Sequence, residues 1–175
     1  MQEILIVVDM QNDFVYGSLG TPEAQRIVDH VVEKIMQFEG RVLFTQDTHE
    51  SDYLETQEGV RLPVEHCIRG TKGWELVPAI EALRLPDTPV IEKPTFGSSE
   101  LVSLLERLNE EEPIRSITLV GLCTDICVIS NALLIKAYFP EIPIAVDATC
   151  CAGVTVESHQ RALDAMRVCQ IDVFE

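Results

Sequence analysis

The segment SITLVGLCTDICVISNALLIKAYF, residues 116–139, carries the strongest fold signal in this chain. An apolar run leads into the stretch from Gly121 to Asp125, and apolar residues then resume at helical spacing. This pattern predicts a buried strand, a tight turn and a helix that begins at Cys127. A cysteine at a helix start faces the positive end of the helix dipole, which lowers a thiol pKa and makes sulfur nucleophilic. Cys127 is therefore the first candidate nucleophile.

The same succession of strand and helix extends along the whole chain. Short apolar runs predict strands buried on both faces, and amphipathic patterns between them predict helices. The order predicts an α/β fold with three layers, α/β/α, around a mostly parallel, doubly wound six-stranded sheet, in a single domain over residues 1–175. The predicted strands are Ile4–Val8, Val42–Gln46, Pro89–Glu92, Ile117–Gly121, Ile142–Val146 and Ile171–Phe174, and the helices are Pro22–Glu39, Glu100–Leu108, Cys127–Tyr138 and Val156–Val168.

Composition argues against several classes of function. The 29 acidic and 13 basic residues give a formal net charge of -16, which repels nucleic acid and anionic membrane surfaces, so neither is expected as a partner. The six cysteines lie in or beside apolar segments of a chain that is large enough to fold without disulfides. Because no basic and apolar leader precedes the first strand, we expect a cytoplasmic protein.

Polar residues at the carboxyl ends of the predicted strands are candidates for chemistry. Asp9 follows the first strand, Asp47 and His49 follow the second, Lys93 follows the third and Cys127 follows the fourth. Parallel strands end at one edge of a sheet, so these side chains should meet there. A nucleophile, a carboxylate and a cation are the set that covalent hydrolysis requires. Taken singly, each has an ordinary alternative as a packed cysteine, a turn-capping aspartate or a solvated lysine.

Other cysteines and histidines give weaker signals. Cysteines near other strand ends open no long helix, so we interpret them as packing residues: Cys123, Cys150 and Cys151. Histidines within the predicted helices are interpreted as surface or capping residues: His30 and His159.

A long polar loop, residues 47–72, forms a second candidate site. Loops of this length inside a small domain are usually functional or disordered. The loop contains Asp47, His49, Glu55, Glu58 and His66. Carboxylates and imidazoles are good ligands for a divalent transition metal, and Asp-x-His lets two donors converge from one turn. By spacing alone, ordinary polar loop residues are an equal alternative.

Together these features resemble the isochorismatase-like cysteine hydrolases and, within that superfamily, the nicotinamidases and pyrazinamidases. The resemblance covers nearly the whole chain and follows the family's order and approximate spacing. It rests on VVDMQNDF at 7–14, TQDTH at 45–49, LPVEHCIRGTKGWEL at 62–76, IEKPTFGSS at 91–99 and GLCTDICV at 121–128. The resemblance implies one isochorismatase-like hydrolase domain and leans toward a homo-oligomer.

The resemblance implies a catalytic triad of Asp9, Lys93 and Cys127. It also implies a non-proline cis peptide between Leu122 and Cys123, with the backbone N–H groups of Cys123 and Cys127 forming an oxyanion hole. Asp9 would move protons, and Lys93 would stabilise the anions that form.

For the metal loop, the resemblance implies that Asp47, His49 and His66 bind a divalent ion, with zinc expected and manganese or iron as alternatives. A further ligand often lies between the last two, and Glu58 fits that place better than Glu55. Family positions that flank an aromatic substrate correspond to Phe14 and Phe96. The chain departs from the family where Thr48 and Tyr53 replace a tryptophan and a histidine, which alters the metal loop and the pocket rim.

The leading hypothesis is metal-assisted hydrolysis of nicotinamide to nicotinate and ammonia through a Cys127 thioester, a step of NAD salvage. In this hypothesis the metal binds the pyridine nitrogen and orients the ring rather than activating water. The alternative is a related cysteine amidase that acts on another small carbamoyl or ureido amide. A non-catalytic binding module on the same fold and a thiol–disulfide exchange protein are weaker hypotheses, the latter because no C-x-x-C motif is present.

Overall fold

The computed structural model describes residues 1–175 and has the predicted three-layer α/β fold. Its strands are β1 (Gln2–Val8), β2 (Arg41–Asp47), β3 (Val90–Lys93), β4 (Ile114–Leu122), β5 (Ile144–Ala152) and β6 (Asp172–Phe174). They form a 6-stranded sheet in the order β3-β2-β1-β4-β5-β6, and every neighbouring pair is parallel. The predicted sheet is therefore confirmed, with strand ends that differ by a few residues.

The helices are α1 (Asn12–Val15), α2 (Pro22–Gln37), α3 (Gln57–Arg61), α4 (Pro78–Glu81), α5 (Ser99–Glu111), α6 (Ile129–Tyr138) and α7 (Val156–Val168). The four long ones match the predicted helices, while α1, α3 and α4 are too short to produce a helical period in the sequence. No helix combines the length and the apolar character needed to cross a membrane.

Each face of the sheet is covered by its own set of helices. On β1, Ile4, Ile6 and Val8 pack into an apolar cluster with α5, α6 and α7, while Leu5 and Val7 pack into a second cluster with α1, α2 and α4. All five side chains are fully buried. Burial on both faces explains why this strand reads as a continuous apolar run rather than an alternating one.

The strand order reverses between β1 and β4, and this reversal positions the candidate site. In open parallel sheets, ligands bind beyond the carboxyl ends of the strands at such a switch point. Gly121, near the end of β4, has φ +114°, and a Cβ there would lie 2.1 Å from the carbonyl oxygen of Val8. Only glycine can therefore occupy this position without strain, and its presence lets the ends of β1 and β4 lie close together.

The start of the helix after β4 differs from the prediction. Cys127 does not begin α6; it lies in a π-helical turn, Thr124–Val128, that directly precedes Ile129. The Val128 N–H donates to the Cys123 carbonyl at 3.0 Å, which closes this wider turn. The prediction relied on apolar periodicity, which marks only the part of a helix that packs in the core. It therefore did not include the polar residues Thr124 and Asp125 at the start of this turn.

Candidate active site

Asp9, Lys93 and Cys127 meet at the carboxyl edge of the sheet. Lys93 Nζ lies 2.6 Å from Asp9 Oδ2 and 3.2 Å from Cys127 Sγ. Asp9 and Lys93 are fully buried, and Cys127 is 4% exposed. The structure thus brings the three strand-end residues predicted from the sequence into one buried contact network.

The Asp9 carboxylate is held from one side by Thr45 on β2. The Thr45 hydroxyl donates to Asp9 Oδ1 at 2.6 Å and also accepts the Asp9 N–H at 3.2 Å. Asp9 itself has φ +47°, a left-handed conformation that costs roughly 1–2 kcal/mol for a residue with a Cβ. Sequence reasoning missed Thr45, because a threonine inside a strand gives no signal that it contacts a carboxylate on the neighbouring strand.

Burial and neighbouring charges set the protonation of this network. Burial raises the pKa of Asp9, with the Lys93 ammonium acting in the opposite direction. Burial also opposes the charge of Lys93, but Asp9, Cys127 and Asp47 outweigh it and raise the Lys93 pKa well above its usual range. The resting network therefore holds a protonated Lys93 and a carboxyl group able both to take and to return a proton.

The expected lowering of the Cys127 pKa is wrong for this structure. Burial, followed by the Asp9 carboxylate, raises the pKa of the Cys127 thiol well above its usual range, while Lys93 acts to lower it. Loss of water at the buried sulfur, together with the Asp9 charge, therefore outweighs the favourable effect of the Lys93 ammonium on the thiolate. A raised pKa favours the neutral thiol, so a neighbouring base must accept the thiol proton before the sulfur can attack.

Asn131 connects the backbone of Cys127 to the segment that carries Phe96. It lies on α6, is fully buried, and its Nδ2 donates to the Cys127 carbonyl at 2.8 Å and to the Phe96 carbonyl at 3.0 Å. Its Oδ1 accepts the Ser98 N–H at 2.9 Å. The sequence signal for this contact is weak, because α6 contains other polar residues, Ser130 and Lys136, and only the fold shows that Asn131 is the buried one.

The peptide bond between Leu122 and Cys123 is cis, as the resemblance implies. Cys123 is half-buried and packs against the second apolar cluster, as interpreted from the sequence, and it also lines the central cavity. It lies one residue beyond the end of β4, where the chain turns toward the cavity. Cys150 and Cys151, at 3% and 4% exposed, belong to the apolar clusters and are confirmed as packing residues.

The two histidines expected on helix surfaces differ from each other. His30 is exposed, and its Nδ1 lies 2.9 Å from the Thr149 carbonyl. His159 is half-buried, and its Nδ1 lies 2.7 Å from the hydroxyl of Thr124, in the turn that carries Cys127. The expectation is wrong for His159 because α7 packs directly on that turn.

A second cluster contains Asp47, His49, Glu58 and His66, whose donor atoms all lie within 4.8 Å of one another. His49 Nε2 and His66 Nε2 lie 3.0 and 3.6 Å from Asp47 Oδ2. The same nitrogens lie 3.6 and 3.7 Å from Glu58 Oε1. Glu55 is exposed and takes no part, so the geometry favours Glu58 as the further donor.

This donor set fits a divalent transition metal. Carboxylate oxygens and imidazole nitrogens are the ligands such ions prefer, and two carboxylates offset the charge of the ion. The Nδ1 of His66 lies 2.8 Å from the Val64 carbonyl, so this nitrogen carries the proton and Nε2 is left as the donor toward the cluster. Although burial raises the pKa of Asp47, hydrogen bonds with His49 and His66 outweigh it and lower that pKa, which keeps the carboxylate charged.

Tyr53 packs against both imidazoles of this cluster. Its ring centroid lies 4.7 Å from that of His49 and 5.0 Å from that of His66. The hydroxyl donates to the Leu62 carbonyl at 2.9 Å, and burial followed by the Glu58 charge raises the Tyr53 pKa to about 12. Tyr53 therefore stays a neutral phenol that supports the histidines and does not line the cavity.

Thr48, the other departure from the family pattern, also lies outside the cavity lining. Its hydroxyl accepts a hydrogen bond from the Trp74 indole at 2.9 Å. Neither replacement supplies a side chain to the cavity wall: Thr48 packs with Trp74, and Tyr53 packs with the two histidines of the metal loop.

A cavity of about 600 Å³ joins the two clusters. Phe14 lines the cavity, and its ring centroid lies 5.5 Å from the ring centroid of His66. Phe96 also lines the cavity and is 43% exposed. Cys127 and His66 both face the cavity. A flat ring between apolar walls could therefore reach the sulfur and the metal donors at once.

Comparison with known proteins shows which family this fold and this set of residues belong to. The sequence matches the isochorismatase domain family over residues 3–174. The nicotinamidase structure from Bacillus subtilis is 29% identical, with a TM-score of 0.82 and complete coverage of both chains. The zinc complex of pyrazinamidase from Pyrococcus horikoshii is 27% identical, with a TM-score of 0.81 and coverage of 100% of this chain and 99% of that one.

A further similar structure is N-carbamoylsarcosine amidase from Thermoplasma acidophilum, which is 25% identical with a TM-score of 0.76, covering 100% of this chain and 96% of that one. Family match and fold agree over the full length of the chain. The chain belongs to the isochorismatase family of hydrolases, in the branch of the nicotinamidases and pyrazinamidases, which cleave amide C–N bonds.

Proposed function

We propose that this chain hydrolyses nicotinamide to nicotinate and ammonia through a thioester on Cys127. The observation that carries the proposal is the contact of Lys93 with both Asp9 and Cys127, beside a cavity that is lined by Cys127 and by three of the four metal donors: Asp47, Glu58 and His66. The first feature supports cysteine-dependent amide hydrolysis. The second supports a substrate with a ring atom able to bind a metal.

Asp9 and Cys127 would carry out the first half of the reaction. The Cys127 sulfur attacks the carboxamide carbon as its proton passes to Asp9, and the neighbouring Lys93 ammonium stabilises the negative charge on the oxygen. The C–N bond then breaks as Asp9 returns the proton to the departing nitrogen, which leaves as ammonia. The product of this half is a nicotinoyl thioester on Cys127.

The second half uses the same carboxylate. Asp9 takes a proton from a water molecule that attacks the thioester carbon, the C–S bond breaks, and Asp9 passes that proton to the sulfur. The nicotinic acid that forms loses its remaining acidic proton to solvent and leaves as nicotinate. A raised Asp9 pKa suits a group that must accept and return a proton in each half. The Cys123 and Cys127 N–H groups are the proposed oxyanion hole, in which each donor is typically worth about 3 kcal/mol.

Asp47, His49, Glu58 and His66 would hold the metal, which we propose to be zinc. When bound, the ion would supply a Lewis acid that fixes a ring nitrogen and thereby the distance of the carboxamide from Cys127. The wall residues Phe14 and Phe96 would restrict the ring to one plane. Binding energy from the ring is thus converted into orientation at the reacting carbon.

One observation favours a second candidate, an amidase for a carbamoyl compound that carries a carboxylate. Arg61 lines the cavity and is exposed, and no carboxylate forms an ion pair with it, whereas Arg69 pairs with Glu50 and Glu92. An unpaired guanidinium in a cavity can bind a carboxylate in two parallel hydrogen bonds. N-carbamoylsarcosine has such a carboxylate opposite its carbamoyl group.

Ammonia release from matched substrates separates the two candidates. We expect turnover of nicotinamide and pyrazinamide to exceed that of N-carbamoylsarcosine and of aliphatic amides, and to fall after treatment with a chelator and return with zinc. Under the first candidate, turnover of nicotinamide should change little in Arg61→Gln and equally little in the control variant Arg69→Gln. Preference for N-carbamoylsarcosine that is lost in Arg61→Gln, and kept in Arg69→Gln, would establish the second candidate instead.

A further inference from the structure

We propose that Gln11 and Asp13 are positioning residues that set the spacing of the metal ligands. Both lie on the segment after β1, and neither contacts a metal donor atom; each acts through the backbone of the 47–72 loop. The inference rests on the proposed metal function of Asp47, His49, Glu58 and His66. It assigns to one short segment the task of holding both ends of that loop.

Gln11 holds the backbone of the first ligand from both sides. It is fully buried, and its Oε1 accepts the Asp47 N–H at 2.8 Å while its Nε2 donates to the Asp47 carbonyl at 2.8 Å. The same Nε2 donates to the Trp74 carbonyl at 2.8 Å. A single amide thus fixes the peptide groups on either side of the Asp47 Cα, which limits the directions in which its carboxylate can point.

Asp13 holds the backbone next to the last ligand. Its Oδ2 accepts the N–H of Cys67 at 2.8 Å, directly after His66. Cys67 has φ +48°, a left-handed conformation that a residue with a Cβ adopts only where its surroundings enforce it. The carboxylate of Asp13 therefore stabilises the bend that brings the His66 ring to the cluster.

The space around Asp13 is shaped for a carboxylate. A Cβ on Gly73 would lie 2.1 Å from Asp13 Oδ2, and a Cβ on Gly17 would lie 2.4 Å from Oδ1. The Asp13 N–H also donates to the Gly73 carbonyl at 2.9 Å. Asp13 is thus enclosed by two glycines and hydrogen-bonded to the turn that carries Gly73 and Trp74, which leaves its carboxylate little freedom to move.

Asp47 and His66 are distant in sequence but have donor atoms only 3.6 Å apart. Their relative position is set where the two ends of the loop meet the segment that carries Gln11 and Asp13. Loss of a group that orients a metal ligand typically weakens metal binding about 10- to 100-fold. We therefore assign Gln11 and Asp13 an effect of that size on metal affinity.

The test uses near-isosteric variants of the full chain and measures zinc affinity by competition with a chelator. Gln11→Glu keeps an acceptor for the Asp47 N–H but places a carboxylate against two carbonyl oxygens, so we expect affinity to fall about 10- to 100-fold. Asp13→Ala should cause a loss of the same order, and Asp13→Asn, which keeps an acceptor for the Cys67 N–H, should restore most of the affinity. Gly73→Ala, which displaces the Asp13 carboxylate, should resemble Asp13→Ala.

A spectroscopic measurement separates positioning from a general loss of stability. The Co²⁺ absorption spectrum reports the ligand field, and we expect Asp13→Ala to shift it toward the spectrum of His66→Ala. The control is Asp147→Asn, which removes another partly buried carboxylate that accepts a backbone N–H, from Thr149, away from the cavity. It should change neither zinc affinity nor the spectrum, even if it lowers thermal stability measured in chelator.

Zinc affinity and Co²⁺ spectra unchanged in both Gln11→Glu and Asp13→Ala would overturn this inference while leaving the proposed metal site intact. Equal losses of affinity in Asp13→Asn and Asp13→Ala would also contradict it for Asp13, since the acceptor would then be irrelevant. A wild-type chain that binds neither Zn²⁺ nor Co²⁺ would overturn both the inference and the metal part of the proposed function.

Discussion

The two halves of the candidate site are built in opposite ways. Asp9, Lys93 and Cys127 lie at or beyond the ends of separate strands, and the sheet brings them together in a buried network. His49, Glu58 and His66 lie on one long loop, which is held by local contacts from Asp13 and Tyr53. Asp47 links the halves, because it ends β2, pairs in register with Lys93 and has its Oδ1 3.2 Å from Lys93 Nζ. The comparison teaches that the reactive groups depend on the fold, whereas three of the four metal donors depend on a small number of packed side chains.

The largest effect is expected at the sheet-held half. Cys127→Ala removes the proposed nucleophile, so turnover of nicotinamide should fall by roughly 10⁴-fold or more, as for other enzymes that lose a nucleophile. Zinc affinity should be unchanged, because no metal donor is lost. Cys151→Ala is the matched control: it removes a buried cysteine in the core and should keep most of the activity. Wild-type turnover in Cys127→Ala would remove the basis of the mechanism.

A smaller effect is expected when the loop-held half is broken. His66→Ala removes a metal donor, so zinc affinity should fall sharply and kcat/KM for nicotinamide should fall about 100-fold, since the ring is no longer oriented. The rate of Cys127 alkylation by iodoacetamide should stay close to that of the wild type measured in chelator. If alkylation is also lost, the two halves are not separable and the comparison fails.

Substitutions of Tyr53 test whether its ring contacts or its hydroxyl hydrogen bond contribute more to the stability of the loop. Tyr53→Phe removes only the hydroxyl and leaves the Leu62 carbonyl without its partner, so the free energy of unfolding should fall by about 1 kcal/mol. Tyr53→Ala removes a fully buried ring and should cost about 3–5 kcal/mol. Urea unfolding in the presence of chelator measures both, and similar losses in the two variants would show that the ring contacts with the histidines contribute little.

The smallest expected effect is a pH-dependent change in the free energy of unfolding, and it involves Asp147, which lies outside both halves of the site. Burial opposes the charge of Asp147, but hydrogen bonds from Lys34 at 2.8 Å and Thr149 outweigh it and lower its pKa. A carboxylate with a lowered folded-state pKa stabilises the protein fully above the unfolded pKa of about 3.9, and this stabilisation is lost as pH falls through the folded value. Asp147→Asn should therefore cost about 1 kcal/mol at pH 7, and progressively less as pH falls below the unfolded pKa of about 3.9 toward the lower folded value.

Unfolding by urea at several pH values checks this prediction. A destabilisation in Asp147→Asn that is the same at pH 7 and at low pH would show that the lost packing, rather than the ion pair with Lys34, causes it. Nicotinamide turnover at pH 7 should not change, because Asp147 does not line the cavity.

The sequence predicted the sheet-held half better than the loop-held half for a physical reason. Strand ends in a parallel sheet share one edge, so the convergence of Asp9, Lys93 and Cys127 follows from the strand order alone. The protonation of Cys127 does not follow, because its direction depends on how completely the sulfur is buried beside Asp9.

In the loop, the choice between Glu55 and Glu58 stayed open to spacing arguments, because it depends on the direction of the short helix α3. The supporting contacts of Gln11 and Tyr53 join residues far apart in sequence, and no local period reveals them. For Tyr53, the sequence did not show whether the side chain belongs to the pocket rim or to the metal loop, and the structure packs it against the two histidines. Side-chain packing of this kind becomes visible only when the loop is folded.

The most direct test of the central claim is the intact mass of the protein, quenched with acid during turnover of nicotinamide. We predict a population heavier by one nicotinoyl group, located on Cys127 by peptide mapping and absent in Cys127→Ala. A wild-type protein that releases ammonia steadily while no acylated form is trapped, and a Cys127→Ala variant that still turns over, would contradict covalent catalysis by this sulfur.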